Sequence, residues 1–104
     1  MQFTVTTREG ESVSVDGAEG ASFMEAIRNH GIDEMLALCG GQLSCATCHV
    51  YFEERCLDAL PEMSHFENDL LDSSDHRKPA SRLACQVTCK SSLAGCLVTI
   101  APED

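Results

Sequence analysis

The sequence predicts one small α+β domain spanning residues 1–104. Segments with the period of a strand lie near both ends, and segments with helix-capping signals lie between them. A length of 104 residues with 43% apolar content suits one domain with one modest core. No internal repeat, low-complexity tract or linker divides the chain.

The elements follow in order. Phe3, Val5 and Thr7 alternate with Thr4 and Thr6, and Val13 and Val15 alternate with Ser12, Ser14 and Asp16. With Arg8-Glu9-Gly10-Glu11 as a turn, this is a hairpin. Residues 17–20 read as a loop, and a helix is expected from Ala21 to His30. Ser22 and Glu25 have the spacing of a capping box, and Phe23, Ala26 and Ile27 share a face. Gly31 suits the left-handed residue that ends a helix. Val50-Tyr51-Phe52 reads as a short strand, and residues 56–60 fit helix or loop before Pro61. A second helix is expected from Ser64 to Asp72, again opening on a capping box of Ser64 and Glu67. Met63, Phe66 and Leu70 should face its core side. Residues 73–81 form a polar loop, and Leu83–Cys89 and Leu97–Ile100 read as late strands.

Charge narrows the partners. Seventeen acidic side chains against seven basic ones leave a formal −10. Such a surface is a poor match for nucleic acid or anionic membrane and a good match for a basic protein surface. No stretch approaches the ~20 apolar residues of a membrane span. Met1-Gln2-Phe3-Thr4-Val5 has neither the basic region nor the apolar core of a signal peptide, so a cytoplasmic location is expected. Seven cysteines would suit a disulfide scaffold in a secreted chain, but the count is odd and no secretion signal is visible. Four ligands and three thiols account for seven without any bridge, in a reducing compartment.

The four are Cys39, Cys45, Cys48 and Cys85, spaced C-x5-C-x2-C-x36-C. Plant-type iron–sulfur proteins use C-x4-C-x2-C followed by a distant fourth cysteine, the same plan with one residue fewer in the first gap. A compact loop can supply three thiolates, and a folded domain must hold the fourth. Between Cys39 and Cys48 the residues are small apart from Gln42 and Leu43, which lets backbone N–H groups approach sulfur. Those dipoles are needed, because an oxidised two-iron cluster with four thiolates carries about −2 and gains another negative charge on reduction. A zinc site or plain buried thiols are the other readings; a zinc ribbon usually shows two C-x2-C pairs, and here there is one.

Cys39-Gly40-Gly41, Ser44-Cys45-Ala46-Thr47-Cys48-His49-Val50-Tyr51, Glu67-Asn68-Asp69-Leu70-Leu71-Asp72 and Ser81-Arg82-Leu83-Ala84-Cys85-Gln86 occur in this order over nearly the whole chain. In these runs the sequence resembles the adrenodoxin- and putidaredoxin-type 2Fe–2S ferredoxins. The Cys-Gly-Gly start is more similar to the bacterial putidaredoxin branch than to the iron–sulfur assembly branch. The resemblance implies a β-grasp ferredoxin fold: a mixed sheet, one main helix across it, and a cluster loop near the surface. It implies one 2Fe–2S cluster on the four cysteines, with Gly40, Gly41, Ser44, Thr47 and His49 around it. His49 is expected to tie the cluster loop to neighbouring backbone. The family passes single electrons from an FAD-containing reductase to an oxygenase, often a cytochrome P450 and in some members a Rieske-type oxygenase. Acids matching Asp69, Asp72 and Glu67 dock onto basic partners in that family. The chain departs from the pattern at Ala101-Pro102-Glu103-Asp104, where several bacterial members end in an aromatic residue.

These readings give a monomeric one-electron carrier and no enzyme, since no nucleophile–base pair is evident. An iron–sulfur assembly component, a cluster-based sensor or a zinc-stabilised module are the alternatives. Asp72 lies in the last turn of its helix, where the dipole disfavours a carboxylate, which suggests a role beyond helix stability. Cys56, Cys89 and Cys96 read as small buried hydrophobes. Leu38 and Leu43 fit either an apolar rim or core packing, and Arg82 either a cation near the cluster or half of a salt bridge. His30, His65 and His76 read as surface residues.

Overall fold

The computed structural model describes residues 1–32 and 49–102. Strands β1 (Gln2–Thr6), β2 (Ser12–Asp16), β3 (His49–Phe52), β4 (Ser81–Leu83) and β5 (Leu97–Ile100) form one mixed sheet in the order β2-β1-β5-β3-β4. The alternation in the first sixteen residues produces the expected hairpin, with Phe3 opposite Val15 and Val5 opposite Val13. Gly10, at φ 91°, supplies the left-handed residue of its turn. β1 runs parallel to β5, while β3 is antiparallel to both β5 and β4. This is the β-grasp arrangement.

Helix α1 (Phe23–Asn29) buries Phe23, Met24, Ala26 and Ile27 against the sheet. Its start is set by the Ser22 hydroxyl, which accepts the Glu25 N–H at 3.1 Å. Gly31, at φ 95°, follows its C-terminal end. The rings of Phe3 and Phe23 lie 4.5 Å apart, and those of Phe23 and Phe52 5.1 Å apart in an edge-to-face pair. Burying each ring is worth about 1.5–3 kcal/mol. Together they lock the hairpin, α1 and β3 into one core. Among the described residues no helix is long and apolar enough to cross a membrane.

Helix α3 (His65–Asp72) opens with the serine half of its expected capping box, Ser64 Oγ accepting the Glu67 N–H at 3.1 Å, while the Glu67 carboxylate turns to other partners. Its rotation differs from the expectation. Phe66 is 70% exposed, while Glu67 and Leu71 are the buried residues of the helix. Met63 and Leu70 pack partly buried against the core as expected, but the buried face is centred on Glu67 and Leu71 rather than on Phe66, because Glu67 has a buried cation to meet (described below) and a charge cannot remain inside unpaired. The strand expected over residues 83–89 is displaced: β4 covers Ser81–Leu83, so its first residues fall in the segment read as a polar loop. β4 stops at Leu83, a 3-10 turn covers Ala84–Gln86, and the chain then runs along the entry to α1. There the Phe23 N–H donates to Val87 O and the Cys89 N–H to Ala21 O.

The expectation of three unbridged thiols is corrected. Cys56, in the short helix α2 (Glu54–Leu57), is joined to Cys96, the residue before β5. Forty positions separate them, and nothing in the local pattern signals their meeting. The antiparallel pairing of β3 with β5 brings them together, with Phe52 opposite Val98. A closed loop of this length constrains the unfolded chain by about 4 kcal/mol in the loop-entropy view. The bridge also removes the reason for inferring a reducing compartment.

Cys89 is a buried thiol, as expected, and burial pushes its pKa up, with Glu25 adding to the rise and the nearby N-terminal ammonium opposing it. Its Sγ approaches Gly17 so closely that a Cβ there would lie 2.7 Å away, with Phe3 at 3.2 Å. Gly17→Ala is therefore expected to cost about 1–3 kcal/mol by overpacking. In denaturant titrations Cys89→Ala should recover most of that loss in the double variant. A Gly17→Ala protein as stable as the parent would contradict the packing described.

Candidate metal centre

The site end of the molecule is set by how β4 lies beside β3. His49 opens β3 opposite Leu83 of β4, and Cys85 lies two residues past Leu83, inside the 3-10 turn. That turn packs against α1, the helix from which residues 33–48 depart. Those residues return to the described chain at His49. The fourth cysteine thus stands by both ends of the segment that carries the other three. Cys39, Cys45 and Cys48 themselves, with Gly40, Gly41, Ser44, Thr47, Leu38 and Leu43, lie outside the described residues.

The donor set fits an iron–sulfur cluster. Among the described cysteines, Cys56 and Cys96 are joined to each other and Cys89 is buried behind Gly17 and Phe3. Cys85 alone is a half-buried thiol at this end. The Gln86 side-chain amide donates to its Sγ at 3.5 Å, the kind of hydrogen bond that stabilises a ligating thiolate. Cys85 and Cys89 thus lie in different surroundings.

His49 is buried and braced from three sides. Its Nε2 lies 2.7 Å from Ser81 Oγ, its Nδ1 3.4 Å from Ser74 Oγ, and its carbonyl accepts the Ala101 N–H at 3.1 Å. The two serines are themselves fixed, since Ser81 Oγ accepts from Lys78 N–H and Ser74 Oγ from His76 N–H. The described ring contacts include these two hydroxyls. Ser74 and Ser81 were not singled out from the sequence, because their role appears only when residues 49, 74 and 81 come together.

Glu67 is corrected as a docking residue. Its side chain is 1% exposed and accepts from Arg82 Nε at 2.8 Å, Arg82 Nη2 at 3.1 Å and the Leu83 N–H at 2.9 Å. Arg82 also donates to Pro61 O. The salt-bridge alternative for Arg82 is therefore the one realised, and the carboxylate faces inward. Asp69 and Asp72 do face solvent, at 60% and 64% side-chain exposure. Asp69 lies 3.3 Å from His65 Nε2, one helical turn away. Asp72 pairs with Arg77, whose guanidinium also reaches the carbonyl and side-chain oxygen of Asn68. That pair compensates the unfavourable dipole position, so the location of Asp72 needs no functional cause. Phe66, unflagged in the sequence as a surface residue, stands exposed on the same helix.

Comparison with known proteins follows this geometry. Residues 6–90 match the 2Fe-2S iron-sulfur cluster binding domain family. The chain is 38% identical to the 2Fe-2S ferredoxin CtmE of Castellaniella defragrans over 107 aligned positions that cover all of both proteins. Its structure is similar to that of a ferredoxin from Rhodopseudomonas palustris HaA2, with a TM-score of 0.92 and 44% identity over 99% of this chain and 97% of that one. It is equally similar, at TM-score 0.92 and 35% identity, to a chain of the covalent putidaredoxin reductase–putidaredoxin complex, covering 99% of this chain and all of that one.

Replacing Glu67 by Leu leaves the Arg82 guanidinium buried without its anion, and this is expected to cost about 3–5 kcal/mol. The paired change Glu67→Leu with Arg82→Leu should recover most of it. Urea unfolding followed by far-ultraviolet circular dichroism measures both. A single variant within about 1 kcal/mol of the parent would show that the pair is not held as described.

Proposed function

The chain belongs to the 2Fe-2S iron–sulfur cluster binding family, as an adrenodoxin- and putidaredoxin-type electron-carrying ferredoxin with one cluster and no enzymatic activity of its own, and from that premise we propose that it carries single electrons from an FAD-containing ferredoxin reductase to an oxygenase, most directly a cytochrome P450. It does so as a monomer, a single domain over residues 1–104, in the cytoplasm. Cys39, Cys45, Cys48 and Cys85 hold the cluster. When bound, the cluster supplies a one-electron couple whose potential depends on its hydrogen bonds and exposure. Gly40, Gly41, Ser44 and Thr47 are the small residues that let backbone donors come close to sulfur. His49, fixed by Ser74 and Ser81, anchors the returning end of that segment to the sheet.

The observation that carries this reading is the position of α3. Glu67 clamps the helix to β4 through Arg82 and Leu83, two residues before Cys85. The opposite side of the same helix presents Asp69, Asp72 and Phe66 to solvent. A partner seated there comes close to the cluster end. Acidic groups speed encounter with a basic surface, and an exposed aromatic side chain supplies short-range affinity that charges alone do not. The structural likeness to putidaredoxin in its covalent reductase complex supports the reductase half of the reading.

Two measurements test it. Cys85→Ser should lose iron and acid-labile sulfide, while Cys89→Ser should keep both. A Cys85→Ser protein with full cluster content would remove Cys85 from the ligand set. In stopped-flow reduction by a putidaredoxin-type reductase at low salt, Asp69→Asn with Asp72→Asn should slow the second-order rate about tenfold and flatten its salt dependence. Phe66→Ala should raise the KM for the reductase with little change in salt dependence. Unaltered rates in both variants would exclude α3 as the docking face.

A further inference from the structure

A second group of metal-binding side chains lies at the other end of the sheet. A carboxylate oxygen of Glu53 and the Sγ atoms of Cys56 and Cys96 all lie within 4.8 Å of one another. We propose that this triangle is a second metal site, for a thiophilic divalent cation of the zinc type, closed by the Cys56–Cys96 bridge and opened when that bridge is reduced. The inference does not rest on the electron-carrier reading. Glu53 is level with the start of β5 and His49 with its end, so the site lies about 13 Å along β3 from the cluster end.

The geometry favours a tetrahedral ion. With Zn–S near 2.3 Å and Zn–O near 2.1 Å, tetrahedral arms put sulfur about 3.6 Å from oxygen and the two sulfurs about 3.8 Å apart. Cys56 Sγ already stands 3.7 Å from Glu53 Oε1. The sulfurs need only separate, by side-chain rotation on α-carbons 6.4 Å apart. Glu53 occupies the N-cap position of α2, yet its side chain does not cap the helix. Instead its Oε1 accepts the Leu97 N–H at 2.8 Å and Arg55 Nε at 2.8 Å, which leaves Oε2 of the same carboxylate as the oxygen that would bind the ion. Arg55 also donates to Gly95 O, beside Cys96. A carboxylate held by outer hydrogen bonds in this way is pre-oriented as a ligand. The Glu53 N–H donates to Leu97 O and the Cys56 N–H to Glu53 O, so the backbone frame around all three donors is fixed. Two thiolates and one carboxylate balance a divalent ion together with the Arg55 guanidinium. Glu53 is 26% exposed, which leaves the fourth position to water.

The chemistry needs a two-electron reductant, which a one-electron cluster does not supply. A dithiol provides it: its two sulfurs join as a disulfide, the Cys56–Cys96 bond breaks, and each released sulfur takes a proton. Binding of the divalent ion then displaces those two protons to solvent. In any reducing compartment the pair would stand as thiols, the state in which the site exists.

The test uses cluster-loaded protein. The bridge is opened anaerobically with a phosphine, and its opening is verified as a mass gain of two hydrogens. Zinc chloride is added, the protein is desalted, and zinc is counted against iron. About one zinc per two irons is expected in the opened protein, with iron content and visible absorption unchanged and no zinc in the bridged protein. Glu53→Gln should weaken zinc binding about tenfold or more. Cys56→Ser with Cys96→Ser should abolish it while keeping the cluster spectrum that reports a folded chain. Opened, iron-loaded protein without zinc would overturn the proposal. So would zinc that persists in the double serine variant, or zinc that enters only as iron leaves.

Discussion

The buried carboxylate of Glu67 is the contact on which the site end depends. It receives both arms of the Arg82 guanidinium and the N–H of Leu83, so helix α3 and strand β4 are held by one group. A charge pair with this little water around it gains stability only when each charge is nearly saturated with hydrogen bonds. Arg82 meets that condition through Pro61 O, and Glu67 through Leu83. The consequence reaches past the pair itself. Fixing Leu83 fixes the register of β4 against His49, and Cys85 follows within one turn of chain.

The same contact decides which side of α3 meets solvent. With Glu67 and Leu71 turned inward, Phe66, Asp69 and Asp72 turn outward. An eight-residue helix has too few apolar positions to dictate its own rotation, so the strongest available partner does so. The exposed aromatic and the exposed acids are thus by-products of a buried ion pair. A docking face can be built in this way without loss of stability, because none of its members carries core packing.

The sheet separates two kinds of sulfur chemistry. Near His49 and Cys85 stand the thiol and the chain ends that flank the cysteine-rich segment. At the far end of β3, Cys56 and Cys96 are bridged beside Glu53. Four residues of strand and the core rings between them keep the sets apart, and Cys89 is sealed in a third place behind Gly17. The four described cysteines therefore occupy three separate places.

Much was legible along the chain. The hairpin alternation, the serine N-caps of the two Ser-x-x-Glu runs and Gly31 are local signals, and each depends on residues a few positions apart. Such signals survive because backbone hydrogen bonding and side-chain period act over that same range. What failed depends on distant partners. The inward Glu67 with its Arg82 partner and the Cys56–Cys96 bridge join residues that no period relates, and the outward Phe66 follows from the first of these. By itself the sequence determined most of the elements and the family. Only the tertiary structure decided which charges are buried, which face of α3 is left to solvent and which described cysteines meet, because those follow from strand order and from the desolvation of particular groups.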